Sequence, residues 1–150
     1  MLYYIVALIA VIIDQITKYL VVTKMELGQS IPLIADVFHL TSHRNMGAAF
    51  GILQNQRVLF IIITIAVIVG IIVSLKRMGT SQPRVSLALS LVLGGAVGNF
   101  IDRVSTGKVV DFLDFTLINF PIFNVADAAI TVGVGLLILD LLLESRSKAK

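Results

Sequence analysis

The sequence predicts an all-α membrane protein, a four-transmembrane-helix bundle whose longer loops on one side hold strand-like patterns. Three features point there. Of 150 residues, 57% are hydrophobic and 14% charged, where a soluble domain carries about 45–50% and about 25%. The apolar residues gather in four runs close to the length that crosses a bilayer, about 20 residues. The two longer connections hold β-branched and aromatic residues in partial alternation. Four crossings use roughly 80 residues and leave roughly 70, which excludes a large soluble catalytic domain beside an anchor. A single membrane domain over 1–150 is expected, with any chemistry built from helix ends and loops. The net charge of +3 and pI near 9.5 come without an aromatic-interleaved basic stripe, so nucleic acid is not an expected partner. With no cysteine, disulfides, thiol catalysis and Cys-ligated zinc are excluded.

The first span, 2–22, is apolar except around Asp14, Gln15, Thr17 and Lys18. No basic residue precedes it and charges interrupt its core, so it does not read as a cleaved signal peptide. In the loop that follows, Ile31 to Asn45 alternates partially around Val37-Phe38-His39-Leu40-Thr41, and Met46 to Leu53 suits a short amphipathic helix at the interface. The second span, 58–75, has no charge, and the third, 85–101, is rich in small residues. Its Gly94-x-x-x-Gly98 spacing allows close helix approach. Val104 to Thr116 reads as strand–turn–strand with Gly107 as the turn. The fourth span, 124–143, has Asp127 near its start and Asp140, expected to be solvated, near its end. Lys76, Arg77 and Arg84 crowd one short loop, and Arg146, Lys148 and Lys150 crowd the tail. Lys24, Arg44, Arg57, Arg103 and Lys108 are spread over long loops among five acids. The positive-inside bias therefore puts both termini in the cytoplasm and residues 24–57 and 102–123 outside.

Ionisable residues near hydrocarbon are costly and mark candidate sites. Asp14 and Lys18 share a helix face and read either as a bracing ion pair or as active-site support. Asn99, Asp102 and Arg103 align at the outer end of the third span, and Asn124 and Asp127 repeat the Asn-x-x-Asp spacing at the fourth. With Asp111 and Asp114 between them, four carboxylates lie in one short stretch, and spacing alone pairs Asp102 with Asp127. No metal or cofactor is expected: His39 and His43 belong to the other loop and no HExxH is present. Ser42 and His43 are adjacent and point apart in a strand, without the setting a serine nucleophile needs. Two close carboxyls offer another chemistry. One keeps its proton while the other is an anion, so the pair can activate water and polarise a peptide carbonyl. A proton or ion pathway, or a scaffold binding partner helices, are the rival readings. The pathway needs polar residues continuing through the membrane, which the second span lacks, and the scaffold leaves the acids unexplained.

Four blocks then carry a resemblance. They are Asp14-Gln15-Ile16-Thr17-Lys18; Arg44-Asn45-Met46-Gly47-Ala48-Ala49-Phe50-Gly51; Gly95 to Arg103, continuing to Val109-Val110-Asp111-Phe112; and Phe123-Asn124-Val125-Ala126-Asp127. In this order, with four spans, they resemble the prolipoprotein signal peptidase family, also called signal peptidase II. The resemblance implies a multi-pass aspartyl endopeptidase of the bacterial cytoplasmic membrane, with its active site at the extracytoplasmic face. Its substrates would be diacylglyceryl-modified prolipoproteins, cut just before the lipidated cysteine. Membrane lipids would surround it, no cofactor is implied, a monomer is expected, and the cyclic peptide globomycin would inhibit it. The family's catalytic aspartates map onto Asp111 and Asp127, and its supporting residues onto Asp14, Lys18, Asn45, Asn99, Arg103 and Asn124. This displaces the Asp102–Asp127 pairing and makes Asp102 structural, with Asp114 a solvated loop acid. A hairpin over 104–116 would return Asp111 to the membrane surface. The family fold adds a small extracytoplasmic β-cradle, suited by 31–45 and 104–116, and a short interfacial helix that can act as a lid, suited by Gly47 to Leu53. Asn124 would orient a carboxylate, and Asn45 would hold the oxyanion or the substrate backbone. Asn99 and Arg103 would fix substrate carbonyls, while Asp14 and Lys18 would brace the first helix.

Overall fold

Each apolar run folds as one long helix, because within hydrocarbon only a helix satisfies every backbone N–H and C=O from inside the segment. The computed structural model describes residues 1–47, 56–78, 81–118 and 120–148, with side chains described to Ser145 in the last helix. In chain order the elements are α1 (Leu2–Lys24), β1 (Ser30–Ile34), β2 (Phe38–Asn45), α2 (Arg57–Met78), α3 (Pro83–Ser105), β3 (Val109–Asp114), a 3₁₀ turn (Thr116–Ile118) and α4 (Val125–Lys148). All four helices are long and apolar enough to cross a membrane. The short interfacial helix expected over 46–53 lies, beyond Gly47, outside the described residues.

The small-residue run decides the packing. α3 is the central helix, with 56% of its apolar window buried against 11–22% for the other three. A Cβ on Gly94 would stand 2.7 Å from Ala10 Cβ and 2.8 Å from the Ala7 carbonyl oxygen of α1. A Cβ on Gly95 would run into the Ala126 carbonyl oxygen in the first turn of α4. Hydrogen at these positions is what lets the backbones meet. Gly95→Val should therefore push the start of α4 outward, costing about 1–3 kcal/mol or more. Thermal unfolding in detergent and cleavage assays should both register it, with activity falling further than stability. Retention of full activity would show that α4 tolerates displacement there.

At one end of the bundle β1, β2 and β3 form an antiparallel sheet with β2 in the middle. The turn between β1 and β2 places Asp36 at φ 57°, a left-handed conformation that Asp tolerates. The expected hairpin over 104–116 does not form. α3 continues through Ser105, where the Thr106 N–H donates to the Asp102 carbonyl, and Gly107 reverses the chain at φ +77°. A single strand follows, pairing His43 with Asp111 and Asn45 with Val109. β2 supplies the partner edge that a local hairpin would have supplied, and the Asp102 carboxylate accepts the Val110 N–H at 3.1 Å. Asp114, expected in a solvated loop, instead ends β3 half-buried and accepts the Thr41 hydroxyl at 2.7 Å. At the other end of the bundle Asp140 is more covered than expected: its side chain is 25% exposed and lies 3.9 Å from Arg84, itself 76% exposed. Such a long, wet pair contributes little.

Phe123 fastens the segment before α4 to the sheet. Its N–H donates to the Leu113 carbonyl at 3.0 Å, and the Leu113 N–H returns a bond to the Phe123 carbonyl at 2.8 Å. Phe38, Phe115, Phe123 and Phe120 pack beside this bridge with centroids 4.7, 5.9 and 5.6 Å apart in turn, the last pair edge to face. The next residue, Asn124, is thereby fixed between β3 and the start of α4.

Candidate active site

Asn124 is the N-cap of α4. Its Oδ1 accepts the Asp127 N–H at 2.9 Å, and Asp127 Oδ2 accepts the Asn124 N–H at 3.3 Å. This reciprocal capping box satisfies two free backbone donors and aims the Asp127 carboxylate out of the first turn. A third donor, the Ala126 N–H, goes to Asp14 Oδ1 of α1 at 2.9 Å. Gly98 makes room for that carboxylate, since a Cβ there would lie 2.5 Å from Asp14 Oδ2.

Asp111 comes from the sheet. The register of β3 on β2 places it opposite His43, and Asn45 of β2 donates from Nδ2 to Asp111 Oδ2 at 3.0 Å. Asn124 Nδ2 donates to Asp111 Oδ1 at 2.7 Å and also reaches Asn99 Oδ1 at 3.2 Å. Asn99 Nδ2 donates to Asp127 Oδ1 at 2.7 Å. Two buried asparagines thus join both carboxyl groups in one network. Burial, followed by the charge of Asp127, pushes the Asp111 carboxyl up to about 6, against the hydrogen bonds from Asn45 and Asn124 and the charge of Lys18.

Lys18 sets the sense of this network. Its ammonium meets Asp14 Oδ2 at 2.8 Å, Asp102 Oδ2 at 3.0 Å and Asn99 Oδ1 at 2.9 Å, so all its protons are engaged. By claiming Asn99 Oδ1, it turns the amide NH₂ toward Asp127. The residue is buried, so the ion cluster is maintained by mutual pairing rather than by water.

All eight site residues singled out from sequence cluster at the sheet end of the bundle, but in different shells. Asn45, Asn99 and Asn124 bond the two carboxyls directly, while Asp14 and Lys18 act behind Asn99 and the start of α4. Arg103 reaches the Gly47 carbonyl at 3.5 Å and stands over the Phe60 ring, with its guanidinium carbon 4.9 Å from the centroid. Asp102 faces Lys18 and β3, not Asp127. Gln15 was not singled out, although its Nε2 reaches Asp14 Oδ2 at 3.2 Å, Asp102 Oδ1 at 3.1 Å and the Gly98 carbonyl at 3.2 Å. The available signal was a carboxamide inside an apolar run, next to Asp14.

Both carboxyls open on a cavity of about 1100 Å³. Asn45, Asn99 and Arg103 line its polar end, and Phe115, Phe120, Phe123, Ile130 and Val132 line its apolar wall. His43 lines it as well, whereas His39 does not. Most of Gly47–Leu53, expected as a lid, lies outside the described residues. Among the described residues no three His, Asp or Glu side chains converge as a metal cage requires. A carboxyl pair beside an oil-lined cavity can hold an extended peptide and activate a water against it.

Comparison with known proteins agrees with this architecture. The family model described as "Signal peptidase (SPase) II" matches residues 6–143. A lipoprotein signal peptidase of Brevibacillus brevis is 70% identical over 146 residues, covering 97% of this chain and 98% of the relative. That of Bacillus subtilis is 53% identical over 152 residues, covering 100% and 99%. A bacterial membrane enzyme solved by the in meso method at 2.3 Å superposes with a TM-score of 0.91 at 43% identity, covering 97% of this chain and 90% of that one.

Proposed function

The chain belongs to the signal peptidase II family, and from that premise we propose that Asp111 and Asp127 are its catalytic pair. It is an aspartic peptidase of a multi-pass membrane type that removes signal peptides from prolipoproteins. The observation that carries the assignment is the Asn99–Asn124 bridge, which binds the carboxyls of β3 and α4 into one unit at the end of an apolar cavity.

Asp111, held up at about 6, keeps the proton of the pair and hydrogen-bonds the scissile carbonyl oxygen. Asp127 is the anion. It takes a proton from water as the water oxygen adds to the carbonyl carbon, while Asp111 gives its proton to the carbonyl oxygen, leaving a tetrahedral diol. Asp127 then passes its proton to the departing amide nitrogen as the C–N bond breaks, and Asp111 recovers a proton from a diol hydroxyl as the C=O bond re-forms. The signal peptide leaves with a new carboxylate, and the mature chain keeps a free amine. Asn45 and Arg103 hold the substrate backbone at the polar end of the cavity, while Asp14 and Lys18 hold Asn99 and the first turn of α4.

The substrate we propose is a prolipoprotein already carrying diacylglycerol on the cysteine after the cut. Its acyl chains lie along the wall formed by Phe120, Phe123, Ile130 and Val132 and run out into the bilayer. The density of Lys and Arg supports cytoplasmic termini and an extracytoplasmic site. The same reading takes the chain as a monomer acting as a single unit over 1–150 among membrane lipids. Cleavage of a diacylglyceryl proprotein by the purified protein, insensitive to chelators, tests the reading. No product from a modified substrate, or loss of activity with chelator, sinks it.

A pH dependence follows. The reaction needs Asp111 protonated, and protonation is lost as pH rises through about 6. The kcat/KM should therefore fall toward tenfold per pH unit on the alkaline side. A flat profile from about pH 5 to 8 would remove Asp111 as the protonated acid, and a rate that rises through about pH 6 would exchange the roles of the two acids.

A further inference from the structure

We propose that Arg57 and Phe60, in the first turn of α2, are positioning residues that set Arg103 at the cavity mouth. The proposal rests on the reading of Arg103 as a substrate-backbone contact and extends it to residues outside the four motif blocks. Arg57 Nε donates to the Arg103 carbonyl at 2.7 Å, and Nη2 donates to the Val104 carbonyl at 2.5 Å. These are last-turn carbonyls of α3, which have no partner within their own helix, and a cation there also meets the negative end of the helix dipole. Arg57 therefore pins the main chain of Arg103. Gly107 closes over this fork, since a Cβ on it would lie 3.4 Å from Arg57 Cδ.

Phe60 handles the other end of the same residue. It follows Arg57 by three positions, on the same side of α2, and its ring lies under the Arg103 guanidinium at 4.9 Å. Among the described residues Arg103 has no carboxylate within ion-pair distance. Its remaining link is the 3.5 Å bond to the Gly47 carbonyl. A flexible arginine attracted to Asp127, Asp111 and Asp102 only from beyond ion-pair distance would still sample many rotamers. A fork on its backbone and an aromatic face beneath its head leave it pointing into the cavity, with its remaining N–H groups free for carbonyls of a bound peptide. The first turn of α2 is thus part of the site through contact with Arg103, although neither side chain lines the cavity.

The test is a double-mutant cycle on the full-length enzyme with diacylglyceryl proprotein. Arg57→Gln should raise KM about tenfold and leave kcat within about twofold, because it loosens ground-state positioning and not the acid pair. Phe60→Leu keeps the apolar bulk but loses the ring face, and should raise KM about two- to fivefold. Arg57→Lys, which keeps the charge but not the fork, should fall between wild type and Arg57→Gln. In an Arg103→Gln background, Arg57→Gln should add nothing further to KM. If the effects multiply instead, or if kcat and thermal stability fall while KM holds, Arg57 is only a cap of α3 and the proposal is wrong. A second measurement is independent of cleavage: side-chain NMR of Arg103 should show a ring-shifted Nε–H that moves in Phe60→Leu and broadens in Arg57→Gln. An unshifted signal in the wild type refutes the positioning even if the enzyme cleaves. Absence of cleavage with the shifted signal present refutes the assigned reaction and leaves the positioning standing.

Discussion

Asp127→Asn should abolish cleavage of diacylglyceryl proprotein, lowering kcat by about 10³-fold or more while the protein remains folded, and Asp111→Asn should do the same. The size of the effect comes from the role of each group. An amide at 127 cannot take a proton from water or hand it to the leaving nitrogen, and an amide at 111 cannot protonate the carbonyl oxygen. The fold survives because the amide matches the carboxylate in volume and keeps one acceptor oxygen. In Asp127→Asn that oxygen can accept either the Asn99 amide or the Asn124 N–H. One neighbouring donor loses its acceptor, at a cost of about 1–3 kcal/mol. Turnover by purified variants, with thermal unfolding beside it, separates the two effects. Wild-type turnover in either variant removes that residue from the pair. Asp102→Asn is the control. If it alone stops turnover without unfolding, the pairing suggested by the repeated Asn-x-x-Asp spacing returns.

Lys18→Met should be the most damaging single change to the fold of the site. The ammonium is shared by Asp14 and Asp102, both buried, at 2.8 and 3.0 Å. Removing it leaves two carboxylates together in a dry place without a cation. Breaking a buried pair in this way costs about 3–5 kcal/mol. Activity falls as well, because Asn99 loses the donor that keeps its NH₂ turned toward Asp127. Adding Asp102→Asn to Lys18→Met should recover part of the stability but little of the activity, because the amide of Asn99 is still unlocked. Unfolding midpoints and kcat for the single and double variants check both halves. A Lys18→Met protein as stable as wild type would show that the ammonium does not hold the cluster together.

The four helices were legible in the sequence because hydrocarbon allows only one backbone solution for each apolar run. The eight site residues were found through the motif blocks, and their polar character in or near hydrocarbon marks them independently. What spacing could not supply was register. Asn99/Asp102 and Asn124/Asp127 look equivalent along the chain, yet Asp102 turns to Lys18 while Asp111 arrives from a strand placed by β2. That pairing depends on residues more than sixty positions apart. The hairpin expected over 104–116 failed for a related reason. Val104 and Ser105 have no strong helix preference, but α3 continues through them to the Thr106–Asp102 cap and the Gly107 turn. Gln15 sits beside the charged Asp14 and Lys18, whose pairing already accounts for a polar patch there, and an arginine at a helix start such as Arg57 reads as a topology signal. Its structural use depends on where α3 ends.

The bond from the Ala126 N–H to Asp14 also bears on biogenesis. Helices are delivered to the membrane in chain order, so α1 arrives with Asp14 buried in its middle and only Lys18, one turn away, to neutralise it. Asn99 and Asp102 arrive with α3, and the backbone donor of Ala126 arrives last, with α4. The acid of the first helix thus waits for the last one, and the same docking event brings Asp127 to the bridge that holds Asp111. On the proposed assignment of Asp111 and Asp127, a partly synthesised chain has no assembled site, and hydrolytic competence would begin with the insertion of the final helix.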